Sequence, residues 1–220
     1  MLIRDAKNGA KVSGKFNTPQ EEFWAGEFGD SYISRNESEN LLASNIALFA
    51  RIFSSLDKAP LSVLELGANI GMNIKAMQKL SPSAQFTGIE INEQACKTLS
   101  ETGCEVIESS IIDAFTSKTF DFVFSKGVMI HLEQDQLLST YKKMYRWSKR
   151  FILIAEYYSP TPVMIPYRGI SDRLFKRDFA GEFLDLFPDV ILRDYGFAYH
   201  RGIYPQDDIT WFLLEKVSNE

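Results

Sequence analysis

The stretch VLELGANIG, residues 63–71, decides the fold class of this chain. It overlaps an apolar run, LSVLEL (61–66), that stops at Gly67, and a helical pattern follows from about residue 71 to residue 80. A buried strand that passes through a glycine loop into a helix is typical of the first βα unit of an open α/β sheet. Because ligands of such sheets bind beyond the carboxyl ends of the strands, this loop predicts a ligand site.

The glycine spacing narrows the class of ligand. Dinucleotide dehydrogenases use G-x-G-x-x-G to direct a helix N-terminus at a pyrophosphate, but here Gly67 and Gly71 are four residues apart and no third glycine completes that fingerprint. Asn69 lies between them, and asparagine tolerates a positive φ angle. Glu90 ends the next predicted strand, where its carboxylate can accept both hydroxyls of a ribose. The loop therefore favours a nucleoside ligand without phosphates.

The rest of the chain continues the alternation of strands and helices. Further strands are predicted at 85–91, 105–109, 120–126 and 150–158, and further helices at 93–101 and 134–148. Apolar strands without alternation, separated by helices, imply a parallel sheet covered on both faces, and right-handed connections make it doubly wound. The last two strands, 189–200 and 208–217, are joined by a link too short for a parallel crossover, so we expect an antiparallel pair.

Two segments lack a regular pattern. We expect residues 1–20 to form a loose arm and residues 21–36 to be rich in turns, before a helix that Asn36 and Glu39 open as a capping box. Residues 159–173 also suggest turns, and a helix is expected near 174–187. We predict a single domain, with an arm and cap helix (1–57) and a core (58–220) in which 159–188 form a substrate-side lid insertion.

Composition and charge exclude several classes of protein. The chain has 220 residues, a net charge of −5 and no apolar run of about 18 residues, so neither a nucleic-acid partner nor a membrane span is expected. The first residues lack an apolar signal core, which leads us to expect a cytoplasmic protein. Cys96 and Cys104 are too few for a disulfide framework or a metal site, and we predict no metal.

Three motifs resemble those of the class I S-adenosylmethionine-dependent methyltransferases. They are VLELGANIG, GIEIN (88–92) and FDFVFSKGVMIHL (120–132), and the resemblance extends from about residue 40 to 216. The family loop is usually G-x-G-x-G, whereas this chain has Asn69 at the middle position. The resemblance implies a Rossmann-like seven-stranded sheet, mainly parallel with a terminal antiparallel hairpin. It also implies S-adenosylmethionine as donor and S-adenosylhomocysteine as product.

The resemblance also implies a role for each donor-site residue. Glu65, Gly67 and Gly71 surround the amino-acid end, Glu90 takes the ribose, and Lys126 and Gly127 lie beside the methionine portion. Ile91 lies against the adenine, and Ser110, where many relatives carry Asp, borders it with Ile111. Tyr32 and Arg35 close over the donor, unless Arg35 is a solvated loop charge. The full donor set is Tyr32, Arg35, Glu65, Gly67, Ala68, Asn69, Gly71, Glu90, Ile91, Asn92, Ser110, Ile111, Lys126 and Gly127.

A narrower resemblance covers nearly the whole chain. FWAGEFGDSYISRN (23–36), IAEYYSPTPVMIPYRG (154–169), SDRLFKRDFAGE (171–182) and PQDDITWFLLEK (205–216) are similar to the methyltransferases associated with pseudaminic acid biosynthesis in bacteria. This resemblance implies a nonulosonic acid, of the pseudaminic or legionaminic type, or its nucleotide-activated form as acceptor.

Acceptor residues are predicted from chemistry and position. The two histidines, His131 and His200, fall near the ligand-bearing rim, and either could deprotonate a hydroxyl. An anion pocket is predicted from the basic stretch YRGISDRLFKR (167–177), although the same charges would also suit a solvated helix face. The predicted substrate residues are Tyr157, Tyr158, Tyr167, Arg168, Arg173, Arg177 and Arg201. Asp207 and Asp208 are expected at a turn and strand start, where adjacent side chains would diverge if they lay on the strand, and one of them could reach the substrate.

Other functions stay open at this point. A nicotinamide oxidoreductase would share the sheet, and a non-catalytic donor-binding module would need no acceptor pocket. Among methyltransferases, the acceptor could be a phosphonate, a small carboxylic acid or a protein side chain, methylated on oxygen or nitrogen. Nothing in the sequence indicates the oligomeric state.

Overall fold

The computed structural model of the protein describes residues 16, 18–33, 38–167 and 170–217, with residues 166, 167 and 170–173 described by their backbone alone. Its centre is a seven-stranded sheet of order β3-β2-β1-β4-β5-β9-β8. The strands are β1 (Ser62–Leu66), β2 (Gln85–Glu90), β3 (Glu105–Glu108), β4 (Phe120–Lys126), β5 (Ser148–Glu156), β8 (Val190–Ala198) and β9 (Ile209–Lys216). A separate antiparallel hairpin contains β6 (Val163–Tyr167) and β7 (Ile170–Lys176).

Helices cover both faces of the sheet. They are α1 (Pro19–Ala25), α2 (Glu27–Ile33), α3 (Glu39–Phe53), α4 (Met72–Leu80), α5 (Glu93–Ser100), α6 (Gln134–Trp147) and α7 (Phe179–Leu186). One face packs against α6 and α7 through a core that includes Met144 and Phe183. The other packs against α3, α4 and α5, around Phe49 and Trp211. Burial of apolar side chains on both faces explains the continuous hydrophobic runs of the parallel strands.

The sheet confirms the predicted fold class. Strand β1 pairs in parallel with both β2 and β4, so the strand order reverses beside β1, and this reversal creates a crevice at the carboxyl ends. Strand β9 pairs antiparallel with β5 and with β8, as expected for the last two strands. The boundary at residue 57 and the treatment of 159–188 as a lid insertion remain predictions. No helix within the described ranges is long and apolar enough to cross a membrane.

The prediction of turns for residues 21–36 was wrong over most of that segment. Thr18 and Glu21 form a capping box that opens α1, with Pro19 in its first turn. Gly29, inside α2, marks a close approach of the two helices, because a Cβ atom there would lie 1.9 Å from the Trp24 carbonyl oxygen. Ser38 caps α3 through the Leu41 N–H, whereas the predicted cap, Asn36, lies outside the described residues.

The prediction of turns for residues 159–173 was also wrong. Residues 163–167 form β6, and β7 continues to Lys176, which shortens the following helix. That helix, α7, begins at Phe179 because Asp178 caps it by accepting a hydrogen bond from the Gly181 N–H. The short hairpin was hidden by three prolines, at positions 160, 162 and 166, and by the absence of a clear alternation of apolar and polar residues.

Candidate active site

A cavity of about 500 Å³ opens at the carboxyl ends of the parallel strands. This volume falls within the roughly 300–1,000 Å³ of small-molecule sites. Most of the predicted donor residues line it, namely Tyr32, Gly67, Ala68, Asn69, Glu90, Ile91, Asn92, Ser110, Ile111, Lys126 and Gly127. Glu65 is buried beside the loop, Gly71 begins α4 behind it, and Arg35 lies outside the described residues.

The loop after β1 contains three left-handed residues in alternation. The φ angles are 70° at Gly67, 47° at Asn69 and 78° at Gly71. A side chain at Gly67 would be strained and would also meet Val128, because a Cβ atom there would lie 2.7 Å from a Val128 methyl carbon. The loop therefore curls tightly and exposes its backbone to the cavity.

Glu90 fixes this loop from the end of β2. One carboxylate oxygen accepts the Asn69 N–H at 2.8 Å, and the other accepts the N–H groups of Ile91 and Asn92 at 2.9 and 2.8 Å. Burial raises the pKa of Glu90, while these three backbone bonds oppose the rise. A carboxylate has about four lone-pair positions, so one remains for a ligand unless a backbone bond is given up.

Unpartnered acceptor atoms surround the start of α4. Glu65 Oε1 accepts a hydrogen bond from Asn73 Nδ2 at 2.6 Å. Its Oε2, Asn73 Oδ1 and Asn69 Oδ1 are buried without a hydrogen-bond partner among the described residues. Leaving such atoms unpaired is costly, so this set suits a ligand with several hydrogen-bond donors, such as a primary ammonium group.

Glu65 and Lys126 are two ionisable groups in this region that affect each other's pKa. Burial raises the pKa of Glu65 to about 8, and the nearby Lys126 and the Asn73 hydrogen bond act in the opposite direction. Burial lowers the pKa of Lys126, while Glu65, Asp207 and Glu156 oppose that shift. Burial thus disfavours the charged form of each group, and the opposite charge of the other group favours it.

The raised pKa of Glu65 gives a testable pH dependence. The pKa of its carboxyl is 4.5 without the protein environment and about 8 in the fold. Between pH 4.5 and pH 8, the folded state therefore binds a proton that the unfolded state has released. Stability conferred by Glu65 is therefore present below pH 4.5 and is lost as the pH rises towards 8. In Glu65→Gln, we expect the free energy of unfolding to fall less from pH 5 to pH 8 than in the wild type.

Urea unfolding across this pH range checks the expectation. Glu108→Gln, at an exposed strand end, serves as the control and should follow the wild type. If the free energies of unfolding of the wild type and Glu65→Gln differ by the same amount at every pH, Glu65 does not titrate in this window.

Glu156 was missed by the sequence reasoning, and it organises the turn after β4, next to the glycine loop. Its Oε1 accepts hydrogen bonds from Ser125 Oγ at 2.7 Å and from the N–H groups of Val128 and Met129 at 3.2 and 3.1 Å. Oε2 accepts the Ile130 N–H at 3.4 Å. Burial raises the pKa of Glu156 to about 7. The signal in the sequence is an acid that ends the apolar run RFILIA.

The turn held by Glu156 places His131 in the cavity. A 3-10 turn spans Met129–His131, and the buried His131 ring lies 4.8 Å from the Trp24 ring, centroid to centroid. His200, the other candidate base, does not line the cavity. It is half exposed, and its Nδ1 lies 2.8 Å from Asp208 in an ion-pair geometry.

Among the predicted substrate residues with described side chains, some line the cavity and others do not. Tyr157 lines the cavity, and Lys176 Nζ lies 5.1 Å from its ring centroid. Tyr158 packs against Phe212 outside the cavity, and Arg201 is exposed away from it. Arg177 is buried in an ion pair with Glu182, at 2.7 Å, and likewise does not line the cavity. Arg168 and the side chains of Tyr167 and Arg173 lie outside the described part of the chain.

Further lining residues lie outside the predicted donor and substrate sets, although one of Asp207 and Asp208 was expected to reach the substrate. They come from α1, α3 and the turn before β9, namely Thr18, Gln20, Glu21, Trp24, Asn45, Gln206 and Asp207. Asn92 joins α1 and α2 to the donor half, because its Nδ2 donates to Asp30 Oδ1 at 2.8 Å and to the Trp24 carbonyl at 3.3 Å. Among the described residues, no group of three or more His, Cys, Asp or Glu side chains is placed to hold a metal ion.

Similar proteins are methyltransferases. Residues 63–150 match a family model described as "Methyltransferase domain". No curated protein sequence matches the chain.

Solved structures share the fold at low sequence identity. A 1,6-didemethyltoxoflavin-N1-methyltransferase from Burkholderia thailandensis, with bound S-adenosylhomocysteine, is 12% identical with a TM-score of 0.67, and 95% of each chain is covered. A magnesium protoporphyrin IX methyltransferase from Synechocystis, with bound S-adenosylmethionine, is 10% identical with a TM-score of 0.66, over 93% of this chain and 100% of that one. The plantazolicin methyltransferase, in complex with S-adenosylhomocysteine, is 14% identical with a TM-score of 0.63, over 90% and 94%.

The family match falls on the segment that builds the glycine loop, Glu90 and the β4 wall of the cavity. The sheet order and the cavity at its carboxyl edge agree with the fold of the solved methyltransferases. Residues 63–150 therefore match a methyltransferase domain, and the whole chain shares the fold of methyltransferases solved with S-adenosylmethionine or S-adenosylhomocysteine.

Proposed function

We propose that the enzyme transfers a methyl group to a small, hydroxylated, anionic acceptor of the nonulosonic acid class, free or nucleotide-activated. The observation that carries this proposal is that one cavity is lined both by the loop fixed by Glu90 and by His131 and Tyr157. Donor and acceptor can therefore meet without crossing bulk water, and transfer depends largely on positioning.

The donor half suits each part of S-adenosylmethionine. When bound, the cofactor supplies a methyl group on a sulfonium that is already reactive. The unpartnered oxygens of Glu65, Asn69 and Asn73 match its ammonium, and Lys126 matches its carboxylate. Glu90 accepts from the ribose, and the adenine lies between Ile91 and the segment of Ser110 and Ile111. These assignments use residues that already line or adjoin the cavity.

The acceptor half suits a hydroxylated anion. His131 accepts the proton of a reacting hydroxyl, Trp24 packs against its imidazole, and Glu156 holds the turn that carries it. Tyr157 offers a flat face for a sugar ring, and the Lys176 ammonium beside it offers a positive charge. The hairpin of β6 and β7 reaches the cavity through Leu174, next to Arg173 in the chain. Lys176, on the same hairpin, supports an anionic acceptor rather than a neutral one.

A transfer assay with labelled methyl groups tests the proposal. The enzyme is given labelled S-adenosylmethionine with separate pools of free nonulosonic acids, their nucleotide-activated forms, and cell protein, and the label is located by mass spectrometry. Label on a sugar acid supports the proposed acceptor. Label on protein alone would replace it with a protein side chain, and label in no pool would overturn the proposed acceptor class.

The two histidines can be separated by their effects on turnover. We expect His131→Ala to lower kcat by about 100-fold or more, because general-base catalysis of this kind contributes roughly 10²–10⁴-fold. S-adenosylhomocysteine affinity, measured by calorimetry, should stay near the wild-type value. His200→Ala should change kcat much less, since His200 is outside the cavity. The opposite ranking would assign the base to His200.

A further inference from the structure

The turn before β9 carries an acid that no role above explains. Asp207 lines the cavity and is exposed, so it lies at the cavity mouth. Its carboxylate has no hydrogen-bond or ion-pair partner among the described residues. A charged group directed at a ligand cavity without a protein partner is a candidate for contact with the ligand.

Both neighbours of Asp207 are anchored, in opposite directions. Gln206 is buried, and its Nε2 donates to Asn45 Oδ1 on α3 at 3.0 Å. Asp208 has a φ angle of 53° and accepts the His200 N–H at 2.9 Å, and its N–H donates to the Gln206 carbonyl at 2.9 Å. Because one neighbour is held inward and the other outward, the Asp207 backbone is fixed at the cavity mouth.

The surroundings of Asp207 indicate which chemistry it can select. The negative charge of Asp207 opposes the lowering of the Lys126 pKa by burial. The proposal above assigns Lys126 to the carboxylate of the donor. His131 and Tyr157 line the acceptor side of the cavity. The Asp207 carboxylate can therefore accept hydrogen bonds from the acceptor. The same negative charge repels an acceptor carboxylate, so it also selects an orientation.

We propose that Asp207 is a specificity-determining residue that accepts hydrogen bonds from hydroxyl or amide N–H groups at the end of the acceptor remote from its carboxylate. This inference rests on the proposed function and refines it. Two adjacent hydroxyls of a sugar acid can donate to one carboxylate, and a simple carboxylic acid without them cannot. The acceptor class becomes polyhydroxylated acids, bound with the carboxylate directed away from the mouth.

Kinetics of Asp207→Ala and Asp207→Asn test this assignment. With the sugar acid labelled by the wild type, we expect the acceptor KM to rise about 10- to 100-fold in Asp207→Ala, because a hydrogen bond to a charged group is lost. The Kd of S-adenosylhomocysteine, from calorimetry, should change less than about twofold. Asp185→Asn, an exposed acid on α7 outside the cavity, is the matched control.

Deoxy analogues of the acceptor make the test specific. For the wild type, the acceptor KM should rise by the same factor when the analogue lacks the hydroxyl that Asp207 binds. Asp207→Ala should have the same KM for this analogue and for the parent acid. An unchanged acceptor KM, or an equal loss of S-adenosylhomocysteine affinity, would overturn the inference while leaving methyl transfer to the acid intact.

Failure of the proposed function would look different, since the wild type itself would label no sugar acid. Saturation-transfer NMR of the protein with bound S-adenosylhomocysteine then decides the inference. Absence of binding by free nonulosonic acids to the wild type would overturn it, and binding that Asp207→Ala abolishes would support it.

Discussion

Glu90→Ala is expected to weaken S-adenosylhomocysteine binding by about 100-fold or more. The proposed ribose contact is a hydrogen bond to a charged group, worth roughly 1.5–3 kcal/mol, and the upper value corresponds to about 100-fold. The substitution also leaves the N–H groups of Asn69, Ile91 and Asn92 without their acceptor, so the loop that forms the donor site loosens. Both effects act on donor affinity.

Calorimetric titration of S-adenosylhomocysteine measures this loss. Glu108→Ala is the matched control, because Glu108 lies opposite Glu90 in the pairing of β2 with β3 but is exposed and outside the cavity. Glu90→Gln keeps one acceptor oxygen and should give an intermediate affinity. Wild-type affinity in Glu90→Ala, with the variant folded by circular dichroism, would refute the placement of the ribose.

Glu156→Leu is expected to lower the free energy of unfolding by about 3 kcal/mol or more. Three backbone N–H groups of the turn before α6 and the Ser125 hydroxyl lose their common acceptor, and each unsatisfied buried donor costs roughly 1–3 kcal/mol. Because the same turn positions His131, kcat should fall as well, by more than donor affinity does.

Urea unfolding and steady-state kinetics check this expectation together. Ile154→Leu, at a buried position of the same strand, controls for changes of side-chain shape and should cost less than about 1.5 kcal/mol. Glu156→Gln retains an acceptor oxygen, so it should recover part of both stability and kcat. If Glu156→Leu has wild-type stability, the turn does not depend on this carboxylate.

The sheet and the donor half of the site could be predicted because their signals are local. Apolar strands followed by helices specify a parallel sheet, and an acid at the end of β2 necessarily lies beside the loop after β1. The predicted strand at 120–126 coincides with β4, and Glu90 lines the cavity as expected for its position. In these cases one short segment contains both the secondary structure and the side chain of interest.

The acceptor half could not be predicted in the same way, because long-range packing decides which side chains reach the cavity. His131 and His200 looked equivalent in the sequence, yet the structure places one beside Trp24 and pairs the other with Asp208. Arg177 belongs to a basic stretch, but a buried ion pair with Glu182 removes it from the cavity. Each outcome depends on a partner that is distant in the chain or unremarkable in the sequence.

The alternating left-handed residues of the loop after β1 have a consequence for how such chains are recognised. Asn69 stands where the G-x-G-x-G loop that this chain resembles has its middle glycine, and it adopts a left-handed φ angle of 47°, which asparagine tolerates better than most residues. A search that requires three glycines would overlook this loop. A search for residues that tolerate positive φ at alternate positions, followed by an acid at the end of the next strand, would find it.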